Sequence, residues 1–180
     1  PLIVFYHGGG FVVGGLDSHD EFCRLMAVHA HAQVLSVEYP LAPEASPQQI
    51  IQVCEDALNR IAVAGDSAGG NIAAVVAQRS AQSAYAPNAQ FLIYPALDFK
   101  SRHPSFFAYK DGLVLLAPAF VVTAGHDVLH DEAEIYAHKL RQNQVTVKYV
   151  EYLDQTHGFI SMTFVSRRAK KISIELCKNF

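Results

Sequence analysis

The chain has 180 residues, enough for one domain with a sizeable core. At 51% hydrophobic and 17% charged residues, it is too apolar and too sparsely charged for intrinsic disorder. A net charge of −3 gives no electrostatic footprint for nucleic acid or an anionic membrane surface, and no apolar run approaches the ~20 residues that a membrane span needs.

Leu2-Ile3-Val4-Phe5-Tyr6 is apolar on both faces, the pattern of a parallel strand covered by helices on each side. Residues 34–37, 61–64, 91–94 and 120–122 repeat that pattern. Helical stripes lie between and after them. Ile50, Cys54, Ala57, Leu58 and Ile61 recur at i, i+4, i+7, i+8 and i+11, the last already assigned to the following strand. Asn71-Ile72-Ala73-Ala74-Val75-Val76 opens a second helix, and Ala133, Tyr136, Ala137 and Leu140 mark a third. Residues 145–152 carry Lys148 and Glu151 and read as a more exposed strand at the sheet edge. Val165, Ala169, Ile172, Leu176 and Phe180 form a last stripe, with Arg168, Lys171, Glu175 and Lys178 opposite. The basic residues Arg167, Arg168, Lys170 and Lys171 are assigned to its solvated face rather than to an acidic partner. Strands alternating with helices predict βαβ units, a mostly parallel central sheet with helices on both faces, and three layers. There is no repeat and no low-complexity segment, and residues 1–180 are expected to form one domain.

Chemistry enters at Gly65-Asp66-Ser67-Ala68-Gly69-Gly70, between a strand and a helix. The turn is so tight that a Cβ at either flank would clash, which is what the glycines avoid. Ser67 is expected in a strained conformation, its Oγ above the sheet and at a helix N-terminus that favours negative charge. A serine hydroxyl is a poor nucleophile without a base, usually histidine, and a carboxylate then fixes the histidine tautomer. Asp127 and His157 are the candidates, each in a loop at the C-terminal end of a strand, where ligands bind in open α/β sheets. Asp98 is the reserve acid, and Asp131 and Glu132 read as first-turn residues of the next helix. Straight after the first strand comes His7-Gly8-Gly9-Gly10-Phe11. Its glycines let backbone approach a substrate, so the Gly8 and Gly9 N–H groups, with that of Ala68, are candidate oxyanion donors. His7 is assigned to bracing this loop by hydrogen bonds. Phe11 and Phe159 flank the site as candidate substrate-lining residues, with ordinary core packing as the equal alternative. His126, His130 and Asp131, or His130, Glu134 and His138, could suggest a metal site, but neither spacing is H-E-x-x-H, and no metal or other cofactor is expected. His19, His29, His31 and His103 read as surface or packing residues.

G-x-S-x-G between strand and helix is the nucleophile elbow of α/β-hydrolases, in which the acid and then the histidine follow the serine along the chain. The chain resembles the hormone-sensitive-lipase-like esterases, the bacterial branch that includes acetyl esterases. The matching segments are His7-Gly8-Gly9-Gly10-Phe11, Tyr39 with Leu41-Ala42-Pro43-Glu44, Gly65 to Asn71, Asp127-Val128-Leu129 with Asp131-Glu132, and His157-Gly158-Phe159, in the family's order. The resemblance implies an α/β-hydrolase fold, hydrolysis of short-acyl carboxylic esters, no metal and often a homodimer. It implies Ser67 as nucleophile, His157 as base and Asp127 as its orienter. Other acyl hydrolases (lipase, amidase, lactonase) share the same triad, and a non-catalytic binder on this scaffold would be expected to have a damaged one. Cys23, Cys54 and Cys177 are sparse and fit free thiols in a reducing compartment, so a bacterial cytoplasmic setting is expected.

Pro40 departs from the family, which usually has arginine there. The family's N-terminal cap and first strands have no counterpart before the glycine-rich loop. Asn59 and Arg60 join a helix almost directly to the nucleophile strand, and Leu113 to Pro118 is compressed where the family has a helical excursion; a helix cannot reverse into a parallel strand without a loop. The expectation is that these segments, and those before Pro1, are missing rather than lost by evolution.

Overall fold

Strands apolar on both faces need cover on both sides, and the sheet has it. The computed structural model describes residues 1–57, 62–97 and 116–180. Their strands are β1 (Leu2–Tyr6), β2 (Gln33–Val37), β3 (Ala62–Asp66), β4 (Ala89–Ile93), β5 (Ala119–His126) and β6 (Val147–Thr156). The helices are α1 (Leu16–His29), α2 (Pro47–Asp56), α3 (Ala68–Ser80), α4 (His130–Gln142) and α5 (Arg167–Asn179), with a 3-10 turn at Phe159–Met162. The strands form a single sheet in the order β2-β1-β3-β4-β5-β6, and every neighbouring pair is parallel.

The pleat divides the core in two. Val4, Tyr6, Val63, Leu92 and Val121 point to one face, against Ile50 and Cys54 of α2, Ile72 and Val76 of α3, and Ala137 and Leu140 of α4. Ile3, Phe5, Phe91, Ile93 and Val122 point to the other, against Phe22 and Met26 of α1 and Ile172 and Leu176 of α5. Each Val, Leu, Ile, Phe or Met among them contributes about 1.5–3 kcal/mol relative to exposure. The expected three layers and parallel sheet are therefore present, with β6 at one edge as its charged pattern predicts.

Three local results refine the reading of the sequence. Helix α1 has no apolar stripe of full length, because His19 takes the inward position one turn before Phe22, Cys23 and Met26. Helix α5 starts later than its stripe suggests: Ser166 Oγ accepts the Ala169 N–H as N-cap, leaving Val165 outside and 81% exposed. Of the basic residues near its start, Arg168 pairs with Asp154 at 2.6 Å and Lys170 with Glu21 at 3.2 Å, both at the surface. Helix α2 starts at a capping box, Ser46 with Gln49, with Pro47 in its first turn. Leu58, Asn59, Arg60, Ile61, Asp98, His103 and the first part of the stretch beginning at Leu113 lie outside the described residues. No helix among the described residues is long and apolar enough to cross a membrane.

Candidate active site

Strand β3 ends at Asp66, α3 begins at Ala68, and Ser67 between them has φ 52° and ψ −118°. A non-glycine residue there stores about 1–3 kcal/mol of strain, which the surroundings must hold. They do so through main-chain bonds: Ser67 N–H donates to Ile93 O at 3.0 Å, and Ser67 O accepts from Asn71 and Ala96. Room is the second condition. A Cβ at Gly69 would lie 1.9 Å from the Tyr6 carbonyl oxygen, so only glycine lets the elbow sit this close to β1.

Ser67 makes no side-chain cap for α3, which leaves its hydroxyl to the histidine. His157 Nε2 lies 2.9 Å from Ser67 Oγ, and His157 Nδ1 lies 2.7 Å from Asp127 Oδ2. The Asp127 side chain is fully buried and its other oxygen accepts the Leu129 N–H at 2.8 Å. With Nδ1–H donating to the carboxylate, Nε2 is left as the acceptor for the serine proton. The three residues singled out from the sequence are thus brought into one hydrogen-bonded line. The first turn of α4 bears Asp131 and Glu132, as expected, and Glu132 Oε1 accepts the Leu97 N–H at 2.7 Å. His130 Nε2 meets Glu151 of β6 at 2.7 Å, which ties the loop of Asp127 to the next strand. The neighbouring carboxylates of Asp131 and Glu151 hold the His130 pKa above its ordinary value.

The glycine loop after β1 departs from the sequence expectation at one residue. The Gly8 N–H is not free, because it donates to Asp66 Oδ1 at 2.8 Å. Gly9 and Gly10 follow with φ 127° and 61°, and neither N–H has an acceptor among the described residues. Ala68 opens α3, so its N–H has no preceding helical carbonyl to bond. The available donors are therefore Gly9, Gly10 and Ala68, with Gly8 as an anchor. His7 braces the loop: its Nδ1 lies 2.8 Å from Gly8 O, and its ring stacks on Tyr39 at 4.3 Å. The Tyr39 hydroxyl in turn donates to His7 O. Burial holds the His7 pKa below its ordinary value and keeps the ring neutral.

Phe11 is half-buried, packed against the α2–α3 side of the core, with φ 68°. Phe159 is 1% exposed and packs edge-on against Tyr94 and Tyr152, so it sits beneath the site as a core residue. The sequence reading gives two contributors no role at the site. Tyr94, at φ 34°, supports the His157 ring from 4.7 Å, and its hydroxyl lies 3.5 Å from Asp66 Oδ2. Burial pushes that hydroxyl pKa well up, so it stays protonated. An aromatic after an apolar run looks like core, and nothing in the sequence separates it from Phe91. The other is His19, which is buried beside Asp66. Among the described residues no three His, Cys, Asp or Glu side chains are grouped to hold a metal ion.

The profile of a family described as alpha/beta hydrolase fold matches residues 3–115 and 100–161. The carboxylic ester hydrolase LipN of Mycobacterium tuberculosis is 34% identical, over 90% of this chain and 58% of its own length. The carboxylesterase NlhH of the same species is 35% identical, over 92% of this chain and 68% of its own length. An esterase of Pyrobaculum calidifontis superposes with a TM-score of 0.87 at 32% identity, covering 98% of this chain and 74% of that one. With the elbow, the histidine and the buried aspartate in place on a parallel sheet, the chain belongs to the α/β-hydrolase fold family, in its hormone-sensitive-lipase-like esterase branch.

Proposed function

We propose that the chain hydrolyses short-acyl carboxylic esters by two-step acyl transfer. The observation that carries this is His157 bridging Ser67 Oγ and Asp127. His157 takes the Ser67 proton as Oγ attacks the ester carbonyl, and the C–O bond to the alcohol breaks as His157 returns that proton to the leaving oxygen. Water, deprotonated by His157, then releases the acid and regenerates Ser67. Gly9, Gly10 and Ala68 N–H groups receive the oxyanion, the largest single source of stabilisation in such sites. Asp127 holds the tautomer.

The substrate is a small-molecule ester, and no step in this scheme requires a cofactor. The names of the relatives support the esterase reading, but the chain spans only 58% of LipN, so the activity of the whole protein is part of the proposal. The same reading takes residues 1–180 as one catalytic domain, shortened around Asn59 and between Leu113 and Pro118. In support, LipN aligns over 219 residues to a chain of 180. A homodimer is supported by the unpaired edge of β6 among the described residues, and light scattering reads it directly. A bacterial cytoplasmic setting rests on three buried, unpaired cysteines.

Two measurements test the reading together. A fluorophosphonate probe should label Ser67, located by peptide mass spectrometry. Turnover of p-nitrophenyl esters should be greatest between acetyl and butyryl. No labelling of folded protein ends the acyl-transfer reading. Labelling with a maximum at decanoyl or longer keeps the mechanism and makes the protein a lipase.

A further inference from the structure

A histidine at an inward position of an amphipathic helix has to be explained by its partners. His19 is 7% exposed, with its ring beside Phe5 and His7 at about 6 Å centroid to centroid. A buried polar ring is costly unless its nitrogens are paired, and both are. Nδ1 lies 2.8 Å from Ser18 Oγ, and Nε2 lies 3.1 Å from Asp66 Oδ1.

Those partners hold the two ends of the oxyanion loop. Asp66 Oδ1 is the same oxygen that accepts the Gly8 N–H, at the start of the loop. Gly8 lies so close that a Cβ there would stand 2.5 Å from Asp66 Oδ2. At the far end, the Gly15 N–H donates to Ser18 Oγ at 3.0 Å, and the Ser18 hydroxyl, 2.8 Å from both His19 Nδ1 and Gly15 O, gives its one proton to Nδ1 when Nε2–H points to Asp66. His19 therefore joins both anchors through one ring. Between them lie Gly9 and Gly10, whose N–H groups face no acceptor among the described residues. Asp66 also directly precedes Ser67, so the same carboxylate refers the loop to the nucleophile.

We propose that His19 is a positioning residue: through Asp66 and Ser18 it fixes the oxyanion loop at the distance from Ser67 that transition-state binding requires. The inference rests on the acyl-transfer reading above. His19 touches neither substrate nor reacting atoms. It acts on the placement of donors that are engaged only when charge develops on the carbonyl oxygen. Its loss should then lower kcat and leave KM nearly unchanged. One misplaced donor set should cost ~10–10²-fold, below the ~10²–10³ of a deleted donor.

The test compares three substitutions in the full chain. His19→Gln keeps an N–H donor near the Nε2 position. His19→Asn carries the same amide one methylene short of Asp66. His19→Leu removes it. Rates are referred to active sites titrated with the fluorophosphonate. His19→Leu and His19→Asn should lose kcat at constant KM and bind a boronic acid analogue of the tetrahedral intermediate correspondingly less well, while His19→Gln should recover most of both. Hydrogen exchange at the Gly8 amide should quicken in the Asn and Leu variants and not in Gln. In the wild-type chain, imidazole nitrogen spectra should place a proton on His19 Nε2. Equal kcat in the Gln and Asn variants, a change confined to KM, or an unprotonated Nε2 overturns the proposal. If wild type turns over no ester, the esterase reading fails by itself, and Gly8 exchange still decides whether His19 clamps the loop.

Discussion

Gly69→Ala sets two effects against each other within one methyl group. In the first turn of a helix, alanine in place of glycine gains up to about 1 kcal/mol of propensity. Against this, the new Cβ would stand 1.9 Å from Tyr6 O and 2.6 Å from His7 O. A real Cβ keeps at least 3.0 Å from such an atom, so something must move by about 1 Å. No flexible side chain can give way, because both oxygens belong to the backbone of β1 and the loop that follows it. Overpacking of this kind costs about 1–3 kcal/mol or more. The steric effect therefore wins. The expected net loss is about 1–2 kcal/mol, or about 2–8 °C in Tm for a chain of this size. Turnover should fall further than stability. The displacement separates Ser67 from the loop that starts at His7, and about 1 Å of misplacement costs ~10²-fold. Gly10→Ala is the counterpart, since its Cβ would meet nothing within 4 Å and only the positive φ of 61° opposes it. The assay is kcat on p-nitrophenyl butyrate with Tm by calorimetry. A Gly69→Ala variant within about 2 °C and threefold of wild type would refute the contact argument.

Ser67→Ala and His157→Ala should each lower kcat by up to ~10⁶-fold, and the double variant should lose little more, because the residues act as a unit. Multiplying losses would mean that the 2.9 Å contact between them is not the reactive one. Phe159→Ala empties a fully enclosed site under Tyr94 and should cost about 3–5 kcal/mol in denaturant unfolding. A loss under about 1 kcal/mol would place Phe159 at a pocket wall rather than in the core. Stability should also fall with acidity. Because the His7 pKa is lower folded than its ordinary 6.5, the unfolded chain binds a proton that the native one refuses. That contribution is present above 6.5 and fades as pH falls toward the folded value. A His7→Gln variant should show a shallower loss of Tm between about pH 7 and about pH 5, and an unchanged slope would count against the buried neutral ring.

Much of the fold was legible because apolar runs and stripes have periods, and a parallel sheet buries its strands on both faces. Ser67, Asp127 and His157 were legible because their chemistry demands those residue types after those strands. What escaped reading had no period. His19 broke the stripe of α1 by standing where an apolar residue would announce the helix. Tyr94 and Phe159 look alike as aromatics near strand ends, yet one supports the imidazole and the other supports the tyrosine. Gly8 was assigned a free N–H because sequence shows the glycines but not the carboxylate that occupies the first of them. Each of these details is a tertiary partner, which spacing along one chain does not encode.

Strand order explains why the site needs such supports. In a parallel sheet all C-terminal ends lie at one edge, so the loops after β1, β3, β4, β5 and β6 converge there. The glycine loop and Ser67 come from adjacent strands, but Ser67 and His157 come from β3 and β6, three positions apart. At about 4.8 Å per strand that is about 14 Å for an imidazole to cross. The last strand is the longest among the described residues. β6 has 10 residues where β3 has 5, and its pairing with β5 slips between Ala124 and His126. At that slip Leu153 lies against Gly125, where a Cβ would stand 2.6 Å from Leu153 O, so only glycine lets the two strands sit this close. Tyr94, at the end of the intervening β4, then fills the space under the extended histidine. The reach to Ser67 is thus made by the His157 side chain, from the end of a long, irregular strand and against the Tyr94 ring. The residues that support it are part of the site as much as those that touch the serine.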